Sequence, residues 1–529
     1  MTWTQVYNPL DNIWLSALIA LIPIIFFFIA LTLLKLKGHI AAGITVLLAM
    51  IIAIYFYDMP ASMILGATGY GFLYALWPIS YIIIGAVFLY KLTVKSGQFT
   101  TIRQSIISIT DDPRLQMLLV AFSFNAFLEG AAGFGAPIAI TAALLVGLGF
   151  KPLKAAALCL IANTASGAFG AMGIPVIVAG QVSGIDPKEI AHFLGTQLPI
   201  ISFLIPFLLV FIMDGIKGLK DVWKATSITA VSYALTQYLT VTYIGPELPN
   251  ITSSIVSLLA LAFYIKRTSP AAAKSFSLSP KQILKAWSPF ILLTILVTAW
   301  SISFVKTMLE HMNLLINVPF LHNHVIKAAP LVKDPTPYAA ILKIDVFAAT
   351  GTAILIACIL SVFLLNISPK VAWTTLLETV KELSSPIITI MMVIAFAFIS
   401  NYSGQSSTLG LALATSAAYF PFLSPFLGWI GVFLTGSVVS NNALFGNLQL
   451  TTAQQINVLP VILVAANTAG GVMAKMLSPQ SIAVAAGAVG LAGKEGELFK
   501  YTLKYSMGFF DNRRICYLFI GVVVMIKKR

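Results

Sequence analysis

Phe127-Leu-Glu-Gly130 opens a glycine-rich stretch, Gly130-Ala-Ala-Gly133-Phe-Gly135-Ala-Pro137, which is followed by Asn163-Thr164-Ala165-Ser166-Gly167. The same order returns later in the chain. Phe433-Leu-Thr-Gly436 leads into a polar, small-residue stretch and then into Asn467-Thr468-Ala469-Gly470-Gly471. The copies are offset by 306 residues at the first motif and by 304 at the second, and Pro175 and Pro479 follow each Asn-Thr pair at the same distance. Two copies of an interrupted apolar segment are the mark of a secondary transporter built from repeats, and the interruptions point at its binding site.

The composition agrees. Hydrophobic residues make up 59% of the 529 and charged residues only 9%, against about a quarter charged in soluble chains. This is a polytopic membrane protein with no hydrophilic stretch long enough for a separate soluble domain. Ile13 to Leu34 lacks a basic leader and a cleavage-like end, so it reads as a span and not as a signal peptide. The net charge of +14 reflects Lys and Arg gathered in short loops, as the positive-inside rule expects, and not a nucleic-acid partner. Cys159, Cys358 and Cys516 have no ligand spacing, so neither a disulfide, a metal nor a cofactor is called for.

A helix needs about 20 apolar residues to cross a bilayer. Spans are expected at roughly 13–34, 39–57, 63–91, 154–183, 192–213, 225–243, 249–265, 286–305, 344–365, 386–402 and 459–490. Residues 404–420 are too weakly apolar to assign, and 306–343 reads as a loop. Lys35, Lys91, Arg114, Lys217, Lys266 and Lys381, with their basic neighbours, all fall on one side if the N-terminus is outside. Blocks 115–149 and 421–456 are interrupted midway. Each arm of the first is about 15 residues, roughly 22 Å at 1.5 Å per residue, short for a core of about 30 Å. Two re-entrant hairpins entering from opposite sides fit better. The expected fold is therefore an all-α, inverted-topology repeat with two re-entrant helical hairpins and two discontinuous helices. Its parts are 1–114 (N-terminal spans), 115–183 (first hairpin and broken helix), 192–402 (connecting spans), 421–490 (second hairpin and broken helix) and 491–529 (C-terminal segment).

The interruptions supply the candidate site. Gly133 and Gly135 permit a tight tip and close approach of backbone to ligand, and Pro137 suits the first turn of the returning half-helix. Unpaired N–H groups at such a half-helix start favour a carboxylate. Asn163, Thr164 and Ser166 mark the first broken helix. Asn467 and Thr468 mark the second, with Ser478 as its N-cap and Pro479 at N1. Ser440 and Asn441 lie at the second tip. Small-residue helix packing explains Gly66, Gly69 and Gly71, but it does not call for a repeated polar Asn-Thr pair. Glu129 is an ionisable group at membrane depth, costly as an anion there, and so the candidate proton carrier. A structural acid is the plainer reading. Lys475 can bind an anionic substrate or pair with Glu129; a lysine snorkelling to the interface is its plainer reading.

These residues resemble the L-lactate permease family, which also contains glycolate permeases. The carriers are Phe127 to Pro137, Ala162-Asn-Thr-Ala-Ser-Gly167, Ala466-Asn-Thr-Ala-Gly-Gly471, Ala443-Leu-Phe-Gly446 with Ala453-Gln-Gln-Ile456, and the N-terminal Trp3-Thr-Gln-Val-Tyr-Asn-Pro9. The resemblance covers nearly the whole length. It implies uptake of lactate, and of related short 2-hydroxy monocarboxylates, with protons across a bacterial plasma membrane. Two departures stand out. Many relatives carry an Asp in the second tip where this chain has Val438, which leaves Glu129 to bear the proton role. Asp511-Asn-Arg513-Arg514 interrupts what should be a last span, leaving Ile515 to Ile526, too few to cross. The rival readings are a sodium-coupled anion transporter, a passive channel, and an intramembrane enzyme, the last opposed by the lack of any catalytic constellation at depth.

Overall fold

Polar caps and prolines start the long apolar helices. The computed structural model describes residues 2–133, 135–268, 278–416 and 419–511. After a short strand, β1 (Trp3–Thr4), α1 (Ile13–Thr32) begins at Asn12, whose Oδ1 accepts from the backbone N–H of Trp14 and Leu15. Then come α2 (Gly38–Tyr55), α3 (Ala61–Tyr74) and α4 (Tyr81–Lys95), the last two joined through a π-turn over Ala75–Ser80. A short helix α5 (Gln98–Ile107) lies before the first hairpin. That hairpin rises through α6 (Pro113–Met117), a π-turn over Leu118–Phe124 and α7 (Asn125–Ala131), and returns as α8 (Ala136–Gly147). The first broken helix is α9 (Pro152–Ala162), two 3-10 turns, and α10 (Gly170–Ser183). The run 152–165 meets 167–183 at a bend of 69°.

The middle of the chain is α11 (Pro187–Tyr243), α12 (Pro249–Thr268), α13 (Pro280–Ser301), α14 (Ser303–Glu310) and α15 (Thr350–Leu364). Between α14 and α15 lie β2 (Leu314–Asn317), β3 (Val325–Lys327), β4 (Thr336–Pro337) and β5 (Ile341–Ile344). The second half follows as α16 (Pro369–Ser403), α17 (Gln405–Ala414), the hairpin α18 (Phe420–Thr435) and α19 (Val438–Gln455), the broken helix α20 (Pro460–Ala474) and α21 (Pro479–Ala488), and α22 (Glu495–Asp511). Ser478 caps α21 by accepting from the Ser481 N–H at 3.1 Å, with Pro479 in the first turn.

The repeat reaches further than the sequence motifs. Left-handed Gly97 (φ 75°) starts α5 and left-handed Gly404 (φ 93°) starts α17, with Gln98 and Gln405 next. The unassigned stretch 404–420 therefore contains a helix that mirrors α5. Its run Gln405-Ser-Ser-Thr408 hid it, because those polar side chains are buried against protein and not exposed to lipid. The 306–343 loop is likewise corrected to two small sheets: β2 pairs antiparallel with β5, and β3 joins β4 and, in parallel, β1. The expected span 286–305 stops at Ser301, and the expected spans 192–213 and 225–243 form one element bent at Gly215 (φ 63°) and Val222. The hairpin arms are unequal. Pro113–Ala131 is longer than the arm of about 15 residues expected, while α8 has only 12 residues. The segment Ile515–Ile526 lies outside the described residues.

The two hairpins open toward opposite faces. At the base of the first, Arg114 pairs with Asp214 and Asp221, and Lys154 Nζ donates to the Met213 carbonyl. At the end of the second, Gln455 donates to the Pro330 carbonyl beside the small sheets. The broken helices form the core: 94% of the apolar window in Pro460–Leu477 is buried, against 39% in α1. Leu15, Leu18, Ile22, Ile25 and Ile29 form an exposed stripe on α1 at helical spacing, the face a bilayer covers.

Candidate functional site

Two polar clusters lie near the centre, one charged and at the breaks, the other neutral and within α19 and α20. There Asn467 and Thr468 are helical and, contrary to expectation, precede the second break at Lys475–Ser478. In the charged cluster Lys475 Nζ lies 2.5 Å from Glu129 Oε1, and Asn163 Nδ2 donates to Glu129 Oε2 at 3.0 Å. Among the described residues Glu129 is the one ionic side chain that is fully buried, at 2% exposure. Glycines make room for this pair. A Cβ on Gly170 would stand 2.6 Å from Glu129 Oε1, and one on Gly167 would stand 3.4 Å from Lys475 Cδ. Of the readings open for these two residues the structure shows the pair, with a cation on one Glu129 oxygen and an amide on the other. Lys475 does not snorkel; it turns inward.

The backbone beside the pair is left-handed over three residues, Ala171 (φ 44°), Met172 (φ 59°) and Gly173 (φ 76°). Alanine and methionine resist that conformation. The turn is held by close approach: a Cβ on Gly133 would sit 2.9 Å from the Ala171 Cβ. Gly133 (φ 60°) and Gly135 (φ 87°) form the first tip, and Gly135 starts α8 with Pro137 in its first turn.

The neutral cluster centres on Asn442. Its Oδ1 accepts from Asn467 Nδ2 (3.1 Å), Thr468 Oγ1 (3.0 Å) and Asn441 Nδ2 (3.4 Å), while its own Nδ2 donates to the Pro175 carbonyl at 2.9 Å. Gln449 donates to Asn467 Oδ1 at 3.3 Å. The second hairpin is thereby tied to both broken helices. Ser440 lies in the first turn of α19, where its backbone N–H is capped by Ser437 Oγ at 3.2 Å.

The first break leaves carbonyls without helical partners, and distant amides cover them. Asn250 Nδ2 donates to the Ser166 carbonyl (2.8 Å), while Gln237 Nε2 (3.1 Å) and Ser202 Oγ (3.3 Å) donate to that of Ala165. Ser166 Oγ turns back to the Asn163 carbonyl at 3.2 Å. Several buried oxygens have no partner among the described residues: Asn163 Oδ1, Thr164 Oγ1, Asn441 Oδ1 and Gln449 Oε1. Such atoms are costly to leave unmet and are available to a ligand.

The structure therefore joins Glu129, Asn163 and Lys475 directly, and Asn441, Asn467 and Thr468 through Asn442. Thr164 is buried between the clusters in sequence but unpartnered. Ser166, Ser440, Gly133 and Gly135 shape the backbone. Sequence reasoning did not single out Asn442, Gln449, Gln237 or Asn250 as site residues. The available signal was an amide inside an otherwise apolar helix.

At the base of the first hairpin Asp112 Oδ2 and Arg114 pair at 2.9 Å, and Arg114 reaches Asp214 (3.1 Å) and Asp221 (3.0 Å). Burial opposes the Asp112 anion, but hydrogen bonds and charge from Arg114 together hold its carboxyl below the usual value. Hydrogen bonding to Asp112 chiefly drives the Arg114 guanidinium upward, against some desolvation.

Hairpins, paired breaks and a buried ion pair where they meet define a multi-pass membrane transporter. Residues 16–526 match the L-lactate permease family. The chain is 54% identical to the glycolate permease GlcA of Escherichia coli K12, over 99% of this chain and 100% of that one. It is 55% identical to the L-lactate permease of the same strain and 49% to that of Bacillus subtilis, each over 96% of both chains. The chain belongs to the L-lactate permease family. Among solved structures it is similar to Neisseria gonorrhoeae MtrF, with a TM-score of 0.46 and 13% identity over 87% of this chain and 83% of that one.

Proposed function

We propose that this permease imports L-lactate, and related short 2-hydroxy monocarboxylates such as glycolate, in symport with protons across a bacterial plasma membrane. The relatives named L-lactate and glycolate permease support the substrate class. The observation that carries the coupling is the buried Glu129–Lys475 pair, an acid and a base at 2.5 Å between the two breaks. A cation at depth binds the substrate carboxylate and a carboxyl at depth carries the proton. Asn163 and Asn467 position the substrate, and Thr164 Oγ1, buried and without a partner among the described residues, reads its 2-hydroxyl. Residues 115–183 and 421–490, each a hairpin and a broken helix, hold the substrate; 1–114 and 192–402 are the N-terminal and connecting spans, and 491–529 is the C-terminal segment. The distribution of basic loops supports an N-terminus outside.

A sodium-coupled reading draws on the unpartnered oxygens of Asn163, Thr164, Asn441 and Gln449, since oxygen ligands suit a hard cation. The deciding experiment is uptake of labelled L-lactate into proteoliposomes under an inward proton gradient, with and without sodium. Concentrative uptake without sodium, abolished by a proton ionophore, is the expected result. Uptake only with sodium moves coupling to the amide cluster. No lactate uptake in either condition, from protein of verified fold, removes the substrate assignment.

A further inference from the structure

The charged cluster is complete without a ligand, and that completeness says how coupling is enforced. We infer that Glu129 is a built-in stand-in for the substrate carboxylate: an incoming short monocarboxylate takes its place on Lys475, and the displaced Glu129 takes up the proton. The inference rests on the proton-symport reading above and adds to it an order of events and a charge rule.

Lys475 Nζ has a carboxylate oxygen at 2.5 Å, and the side chains are 12% and 3% exposed. A carboxylate ligand seeks the same ammonium, so the two compete for one partner. When Glu129 yields, its Oε2 remains on Asn163 Nδ2 at 3.0 Å, while Oε1 is the atom that Lys475 vacates. Oε1 is then a bare anionic oxygen away from water, and a proton drawn from the open side bonds there. Asn163 Oδ1 and the Tyr233 hydroxyl, both buried without partners among the described residues, belong to the same region. On the far side the ligand leaves, Lys475 returns to Oε1, and the proton departs to water.

Among the described residues Lys475 is the one ionic partner of Glu129. Lys475 comes from the second repeat and Tyr233 from α11. Helices α8 and α10 carry no titratable residue, and α9 brings only Cys159 to this depth. On α12 the titratable residues are Tyr264, Lys266 and Arg267, all toward its C-terminal end; on α4 they are Tyr81, Tyr90, Lys91 and Lys95, and the two lysines pair with Glu382 and Glu378.

Charge is balanced in both transport-competent forms. Empty, the site holds one anion and one cation. Loaded, it holds Lys475, the substrate anion and a neutral Glu129. Substrate without a proton leaves a net negative charge in the membrane, and a proton without substrate leaves a net positive one. Both are costly at depth, so neither form shuttles. The consequence is one proton per monocarboxylate, with a net rate that does not respond to membrane potential.

The test is calorimetric titration of the detergent-solubilised full chain with L-lactate from pH 6 to 8, in buffers of differing ionisation heat. In the wild type the expected result is uptake of one proton per lactate, so affinity falls about tenfold per pH unit. Glu129→Gln removes the competitor: lactate binds about tenfold tighter or more, the pH slope disappears, and proton-driven accumulation is lost. Glu129→Asp shortens the internal ligand, tightening lactate while keeping the slope; it serves if Glu129→Gln does not fold. Binding without proton uptake in the wild type overturns the inference, as does weaker or unchanged affinity in both folded variants. No lactate binding by folded wild type overturns instead the substrate reading on which the inference stands.

Discussion

Where the first hairpin carries Glu129 the second carries Thr435, and where the second broken helix carries Lys475 the first carries Ala171. Each repeat thus gives one charge, from different elements, and the ion pair forms only across the two copies. The backbones diverge at the same place. Ala171 is left-handed (φ 44°), while Lys475 is right-handed helical (φ −55°). A long side chain at 171 has no space, because Gly133 already approaches it closely. The shared scaffold supplies two interruptions; local handedness decides which can bear a charge.

The largest effect expected is from leaving one charge unpaired. Lys475→Met strands a buried carboxylate and should lower stability by about 3–5 kcal/mol, read as thermal melting in detergent, with lactate uptake abolished. The double variant Glu129→Gln/Lys475→Met should recover most of that stability and none of the uptake. If the single variant melts like wild type, the pair is not a structural link between the copies. Next is the neutral cluster. Asn442→Ala leaves Asn467, Thr468 and the Pro175 carbonyl short of partners and should cost about 2–3 kcal/mol, with reduced uptake; a silent variant would show that the copies are joined by the charges alone.

Much of this was legible in the sequence, for reasons tied to particular residues. Asn163-Thr164 located the first break, because glycine, proline and amides in an apolar run have few other uses. Asn467-Thr468 lies inside the unbroken α20, whose interruption comes later, at Lys475–Ser478; there it was Ser478-Pro479 that located it. Ser478 and Pro479 announced the start of α21, and the cap is there at 3.1 Å. Asn442 did not stand out among Ser440, Asn441 and Asn442, since its role depends on Pro175 and Thr468 far along the chain. Gln237 and Asn250 cover carbonyls of the first break from α11 and α12, a pairing no local pattern encodes. Helix α17 escaped notice because its polar face is buried, contrary to the lipid-facing pattern that identifies spans.

Two smaller effects sharpen the contrast. Ala171→Gly relieves a left-handed alanine and should raise stability by about 1 kcal/mol, detectable as a higher melting temperature; Lys475→Gly gains nothing of the kind from its right-handed backbone. At the base of the first hairpin, the depressed Asp112 carboxyl stabilises the fold at pH above its usual value, and that contribution fades as pH falls through the lower folded value. Asp112→Asn should cost about 1 kcal/mol or less at neutral pH, and the difference from wild type should close below about pH 4. Melting curves across pH 3 to 7 give the comparison.

The N-terminal segment is woven into the cap of small sheets. Trp3 and Thr4 lie in parallel with Val325 and Ile326, and Gln5 Nε2 donates to the carbonyls of Asn401 and Tyr402 at 2.8 Å, at the end of α16. For anyone engineering this permease, an affinity tag or fluorescent fusion placed just ahead of Trp3 is no inert handle. Its bulk bears on the junction where α16 gives way to α17, through Gln5 and the carbonyls of Asn401 and Tyr402.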